Sequence, residues 1–249
     1  MSKEKLEKWR ANEQRLAILR RTAKETKTYR LQKKILMTAL GCLVSLTMVI
    51  FIGAALYKNT GSFTVGINKN DINKYGITLS ETRDMRYVSS RLNANISERI
   101  TNISVRDLPD NLDMIDGEHN GANYIAYTFY LMNAGESKID CEYELAITNV
   151  YKGLDEAVRV RLYVNGEYTD YAKTSSDGSG PEPETTEFYS IGIVTKDLIE
   201  DLMPGDKVKF TIVIWLEGND PDCVDRVLDG LADFDMKFTA FYKGEDEEA

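Results

Sequence analysis

The chain has one histidine in 249 residues, with three cysteines, five prolines and two tryptophans. A lone histidine leaves no HExxH zinc motif and no credible Ser-His-Asp set. CxxC pairs and the phosphate-cradling GxxxxGK[ST] loop are missing as well. That histidine, His119, sits in Gly117-Glu118-His119-Asn120-Gly121, whose glycines predict a surface turn. Scarce proline and 17 glycines exclude a collagen-like chain, and 43% apolar residues exclude a disordered one. Acids are plentiful at 40, so carboxylate-only hydrolysis stays open, although no spacing among them selects a pair. The expectation is a protein that is not an enzyme.

Charge is divided unevenly. Residues 1–34 hold twelve Lys and Arg against four Asp and Glu, a balance of +8. The rest of the chain holds 19 against 36, a balance of −17. Between the two regimes lies Ile35–Tyr57 (ILMTALGCLVSLTMVIFIGAALY), a run without Asp, Glu, Lys, Arg or His. At 1.5 Å per residue such a helix spans about 35 Å, enough for a hydrocarbon core of roughly 30 Å. Eight Lys and Arg lie between Arg15 and Lys34, whereas only Lys58, Lys69 and Lys74 follow closely. The positive-inside rule then puts the N-terminus in the cytoplasm and the acidic remainder outside, with the lipid bilayer as partner.

Two fates remain for this segment. Gly53-Ala54-Ala55 has the small-x-small pattern of a signal-peptidase site, with cleavage between Ala55 and Leu56. The long basic stretch ahead of it and the length of the apolar run favour a retained anchor instead. Residues 3–33 contain neither Pro nor Gly and predict a basic helical stem. Its thin apolar stripe of Leu6, Trp9, Leu16, Leu19 and Ala23 suits a coiled-coil seam, a lipid-surface helix or a weak nucleic-acid contact. A solvated juxtamembrane helix is preferred, because the stripe is narrow and Glu13 interrupts it. No nucleic acid is expected as a partner.

Beyond the anchor the hydrophobic period changes to two. Phe63, Val65 and Ile67 alternate with polar neighbours, as do Val158, Val160, Leu162 and Val164. The latter run ends at Asn165-Gly166, a type I′ hairpin signal. Further strands are predicted at Lys207–Leu216, Phe234–Ala240 and Ile139–Thr148. Tyr124–Met132, apolar on both faces, reads as a central strand. Lys196–Leu202 predicts one or two helical turns, and Asp84–Ile103 is ambiguous between strand and helix. Seven or eight short strands predict a mainly β fold, a sandwich of jelly-roll type over residues 58–243. Thr174–Thr185 (TSSDGSGPEPET) reads as a solvated loop, and residues 244–249 as an acidic tail.

Asp220, Asp222 and Asp225, in the run Glu217–Asp225, are weak candidates for calcium, lacking the full EF-hand spacing. No other cofactor is expected. Cys42 falls within the apolar segment. Cys141 and Cys223 both fall in the outer region, where oxidation is available, and are a candidate disulfide.

Several stretches together resemble the TasA/camelysin family of Gram-positive bacteria, whose members are exported by a SipW-type route. They are the apolar segment ending Gly53-Ala54-Ala55, the Phe63-Thr64 strand, Tyr127-Thr128-Phe129 leading to Asn133-Ala134-Gly135, and Leu202-Met203-Pro204-Gly205-Asp206 before a strand ending Trp215-Leu216-Glu217-Gly218. The likeness is stronger to clostridial surface proteins with similar sandwiches, and covers roughly residues 53–67 and 122–242. It implies an exported jelly roll and, as in TasA, a biofilm-matrix fibre built by strand donation between copies, with Phe63, Val65 and Ile67 at the donor position. The long basic stem departs from the family's short signal peptide, and no ligand set maps onto the metallopeptidase activity attributed to camelysin. The resulting expectation is a membrane-anchored cell-surface protein with a structural, adhesive or matrix role, whose partners are copies of itself or envelope proteins. A ligand-binding or docking ectodomain and an extracellular hydrolase are the alternatives.

Overall fold

A computed structural model describes residues 3–57, 61–95, 100–175, 177–178, 180–227 and 230–243. The predicted acidic tail, 244–249, lies outside them. The chain divides into two compact units, residues 1–58 and 59–249.

The first unit is one helix, α1 (Lys3–Tyr57), which runs unbroken through stem and apolar segment alike. The predicted cleavage position at Ala55 and Leu56 is helical backbone within it. Gly41 and Gly53 interrupt a sequence otherwise free of helix breakers, and a single Gly costs only about 1 kcal/mol relative to Ala. Polar side chains in the apolar stretch return their protons to the helix: Ser45 Oγ donates to Cys42 O at 2.9 Å and Thr47 Oγ1 to Val44 O at 2.8 Å. Every position from Ile35 to Ile52 is exposed, on all faces. By length and composition this helix can cross a membrane or serve as a signal sequence.

The second unit is two packed sheets. Its strands are β1 (Ser62–Ile67), β2 (Ile77–Ser80), β3 (Arg91–Asn95), β4 (Asn102–Ile103), β5 (Gly117–Glu118), β6 (Tyr124–Asn133) and β7 (Ile139–Tyr151). They continue with β8 (Val158–Val164), β9 (Glu167–Ala172), β10 (Thr186–Glu187), β11 (Ile193–Leu202), β12 (Lys207–Glu217) and β13 (Leu231–Phe241). One sheet runs β11-β7-β13-β1-β3; the other runs β10-β9-β8-β12-β6-β2, with β4 on β12 and β5 on β6. The alternating residues meet between the sheets, where Phe129 stacks on Phe210 at 5.4 Å and Phe238 meets both rings edge-on. A smaller apolar cluster covers the opposite face of the β8-β12-β6 sheet, where Leu108 and Leu112 pack over Ala126, Tyr163, Val213 and Trp215. The Asn165-Gly166 turn has positive φ at both residues, 53° and 97°, as the hairpin prediction requires.

Two expectations fail here. Lys196–Leu202 is not helical: it belongs to β11, which pairs along its length with β7. Its Lys, Asp and Glu are helix formers, but β11 is the last strand of its sheet, and such edges carry charge to discourage pairing with other chains. Cys141 and Cys223 are both free thiols, so the expected disulfide is not formed. Cys141 is fully buried in β7, opposite Ala240 and Ile199, and Cys223 lies half-buried after β12. In the ambiguous stretch Asp84–Ile103 the described residues form β3 and β4 and no helix.

Asn133 holds the end of β6. Its Nδ2 donates to Ser137 O and to Leu202 O, both at 2.9 Å, and its Oδ1 accepts the Gly135 N–H at 2.9 Å. Its carbonyl also takes the Gly205 N–H at 2.7 Å. Asn133-Ala134-Gly135 and Leu202–Asp206, two of the stretches behind the family resemblance, are therefore one junction. Beside it the short helix α2 (Lys69–Tyr75) ends at Gly76, φ 75°, and a Cβ on Gly135 would lie 2.2 Å from Tyr75 O.

Candidate functional site

Along β8, Val158, Val160 and Leu162 face the core between the sheets, which sends Arg159 to the other face. Alternation alone would leave it in water. Two connections fold over it instead, through the described residues 173–175, 177–178 and 180–185 after β9 and through 218–225 after β12, and Arg159 is 4% exposed. The first carries Glu182 inward: Thr174 bridges to Pro181, Ser175 N–H donates to Gly180 O at 3.0 Å, and Gly178 and Gly180 supply positive φ. The second carries Asp220, whose Oδ1 accepts the Asp222 N–H at 2.8 Å.

Arg159 Nη2 contacts Asp220 Oδ2 and lies 3.4 Å from Glu182 Oε2. Glu182 and Asp220 are as buried as the arginine, and Asp222 stands beside them, half-buried. One carboxylate oxygen from each of Glu182, Asp220 and Asp222 lies within 4.8 Å of the others. Three side-chain atoms here have no hydrogen-bond partner among the described residues: Arg159 Nη1, Glu182 Oε1 and Asp220 Oδ2, the last touched by the guanidinium without an aligned bond. Unsatisfied charged atoms in a dry site are expensive, so three in one cluster stand out from ordinary packing. Burial also raises the pKa of the nearby Cys223 thiol; Asn102 opposes the shift, while Asp220 and Glu217 reinforce it.

Of the residues selected from the sequence, Asp220 and Asp222 come together and Asp225 does not; it is exposed in the turn beyond. Glu182 was missed, because its loop reads as solvated by composition. The signal was Pro181-Glu182-Pro183, where two prolines stiffen the chain around one acid. Phe63, Val65 and Ile67, at the predicted donor position, are buried within β1 of their own chain, between β13 and β3. His119 is half-buried, its Nδ1 2.9 Å from Gly117 O and its Nε2 2.8 Å from Leu112 O.

A second feature is an open cleft of about 740 Å³ lined by Arg83, Asp113, Asp116, Tyr130, Lys207 and Lys209, among others. Its carboxylates are already engaged. Asp113 takes Lys209 Nζ at 2.6 Å and Thr211 Oγ1 at 2.9 Å, and Asp116 takes Tyr130 OH at 2.7 Å and the Arg83 N–H at 3.3 Å.

No family model matches the sequence, and no curated protein matches it. Among solved structures there is a likeness to one described as "AvmM Catalyzes Macrocyclization in Alchivemycin A Biosynthesis". It has 11% identity and a TM-score of 0.20, over 49% of this chain and 80% of that one. At that score the likeness defines neither fold nor chemistry.

Proposed function

We propose that the chain is a single-pass membrane protein that holds a jelly-roll-like β-sandwich outside the cell, with a structural or adhesive role at the surface. The carrying observation is the exposure of α1 from Ile35 to Ile52 on every face, with Leu36 68% and Phe51 76% exposed. A helix apolar all round needs either a protein core or lipid about it. The +8 and −17 charge balances on its two sides favour a cytoplasmic stem and an outer domain. A non-enzymatic role fits the cleft, whose carboxylates are held by hydrogen bonds within the unit. Exposed apolar side chains on the outer unit, such as Tyr87, Tyr189 and Ile191, offer contact surface.

Membrane fractions washed with alkaline carbonate should retain the chain, and external protease should remove all but residues near the anchor. Intact mass then separates the fates of the anchor. A species beginning near Met1 in membranes supports anchoring, whereas one beginning at Leu56 in the medium supports a released subunit. Recovery of uncleaved chain in the soluble cytoplasmic fraction would defeat the proposal.

The 740 Å³ cleft favours a second reading, in which the outer unit binds a polar ligand or docks to an envelope partner.

A further inference from the structure

We infer that Glu182, Asp220 and Asp222 form a calcium site, with Arg159 as a fixed counter-charge inside it. The inference deepens the surface reading, and rests on it only for the availability of calcium outside the cell. The site itself follows from the geometry of the second unit.

Charge comes first. Glu182 and Asp220, both buried, bring two carboxylates to the one guanidinium of Arg159, an excess of negative charge beneath two folded connections. Lys173, just past β9, is engaged elsewhere: it pairs with Asp155 and with Glu156 at 3.0 Å. Glu217 adds no open oxygen: Oε2 takes Trp215 Nε1 at 3.0 Å and the Val105 N–H at 2.9 Å, and Oε1 takes the Asn219 N–H at 3.2 Å. A cation supplies charge of the sign the cluster is short of.

Geometry points the same way. The three ligand oxygens lie within 4.8 Å of one another, close enough to share one ion whose oxygens stand roughly 2.4 Å away, as calcium's do. Magnesium dehydrates reluctantly and keeps several waters, so a site built from three side-chain carboxylates suits calcium better. All donors are hard oxygens, which selects against zinc and copper. The second, independent observation is Glu182 Oε1. It belongs to a side chain 7% exposed, its twin oxygen is taken by Arg159, and it has no partner among the described residues. Such an oxygen, buried and unpaired beside two more acids, is where an incoming cation gains most. Three acids from two separate loops, without an EF-hand frame, match the weak class of extracellular calcium modules, with Kd of about 10⁻⁴–10⁻³ M.

The test uses the full chain in detergent micelles, with thermal unfolding and calorimetric titration of calcium chloride at constant ionic strength. At about ten times Kd, a ligand of the folded state raises the Tm of a unit this size by roughly 3–6 °C. That rise is expected for calcium and not for equal magnesium. Asp222→Asn and Glu182→Gln should each reduce the calcium affinity at least tenfold, while Asp225→Asn, outside the cluster, leaves it unchanged. No calcium-dependent shift in the unaltered chain would overturn the site. An equal shift in the unaltered chain, Asp222→Asn and Glu182→Gln would overturn it too, by placing the ion elsewhere. Neither result bears on the fractionation test, so the two proposals fail separately.

Discussion

The side-chain amide of Asn133 donates to the carbonyl of Leu202, far along the chain, at 2.9 Å. This bond joins the end of β6 to the end of β11, and so one sheet to the other. Asn133 is 0% exposed and satisfies Ser137 O and the Gly135 N–H as well. Asn133→Ala should therefore destabilise the second unit by about 3 kcal/mol, since it strands several buried backbone groups at once. Asn133→Asp keeps only the acceptor and should recover little. Urea unfolding of the two variants measures both.

Gly135 is fixed by space rather than by dihedral angle. Its added Cβ would stand 2.2 Å from Tyr75 O, and that carbonyl ends a helix held by Gly76. Gly135→Ala should cost about 2 kcal/mol or more, with the α2–β2 connection displaced. Gly66→Ala, with nothing within 4 Å of the new carbon, should stay within about 0.5 kcal/mol of the unaltered protein.

Arg159 is the counter-charge of two buried acids, and removing it alone is the damaging change. Arg159→Met should destabilise by about 3–5 kcal/mol in calcium-free buffer, because Glu182 and Asp220 are left uncompensated. Adding Glu182→Gln and Asp220→Asn to it should restore most of the loss. A triple variant no more stable than the single one would show that the arginine acts by packing its stem.

Alkaline pH should unfold the second unit through its buried thiol and phenols. Burial pushes the Cys141 thiol up to about 12, with Asp71 and Glu142 adding to the shift. Tyr127 and Tyr143 are also raised, chiefly by burial and further by Glu81 and Asp197 respectively. An unfolded thiol ionises near 8.5 and an unfolded phenol near 10, so above about pH 8.5 the unfolded state sheds protons that the folded one keeps. Stability is then full below that pH and falls as pH rises toward 12. Cys141→Ala should flatten the first part of this decline in urea titrations at stepped pH. Iodoacetamide at pH 8 should modify Cys223 well before Cys141.

The strands that pack on both sides were legible because their pattern is their burial. Val208, Phe210, Ile212 and Ile214 repeat every second residue and all line the core. β11 was not, since an edge strand has one neighbour and water for the rest. Lys196, Asp197, Glu200 and Asp201 carry that exposure in residue types that equally suit a helix. For the site, Asp220 and Asp222 stood out by being close in sequence. Arg159 and Glu182 are separated in sequence by a hairpin and a loop, and only the fold-back of 173–185 makes them partners. Local pattern cannot report a pairing that a loop creates. The unbroken helix α1 combines two expectations, stem and apolar segment, into a single rod.

β1 lies parallel to β13, antiparallel to β3, and between the two. A pull on Ser62 directed along β1 would meet both flanking ladders in shear. Their bonds would have to slide together rather than open one after another from an end. Mechanically, the strand that joins this unit to the rest of the chain is a buried tie-bar, and load arriving through it is spread across the middle of the sheet.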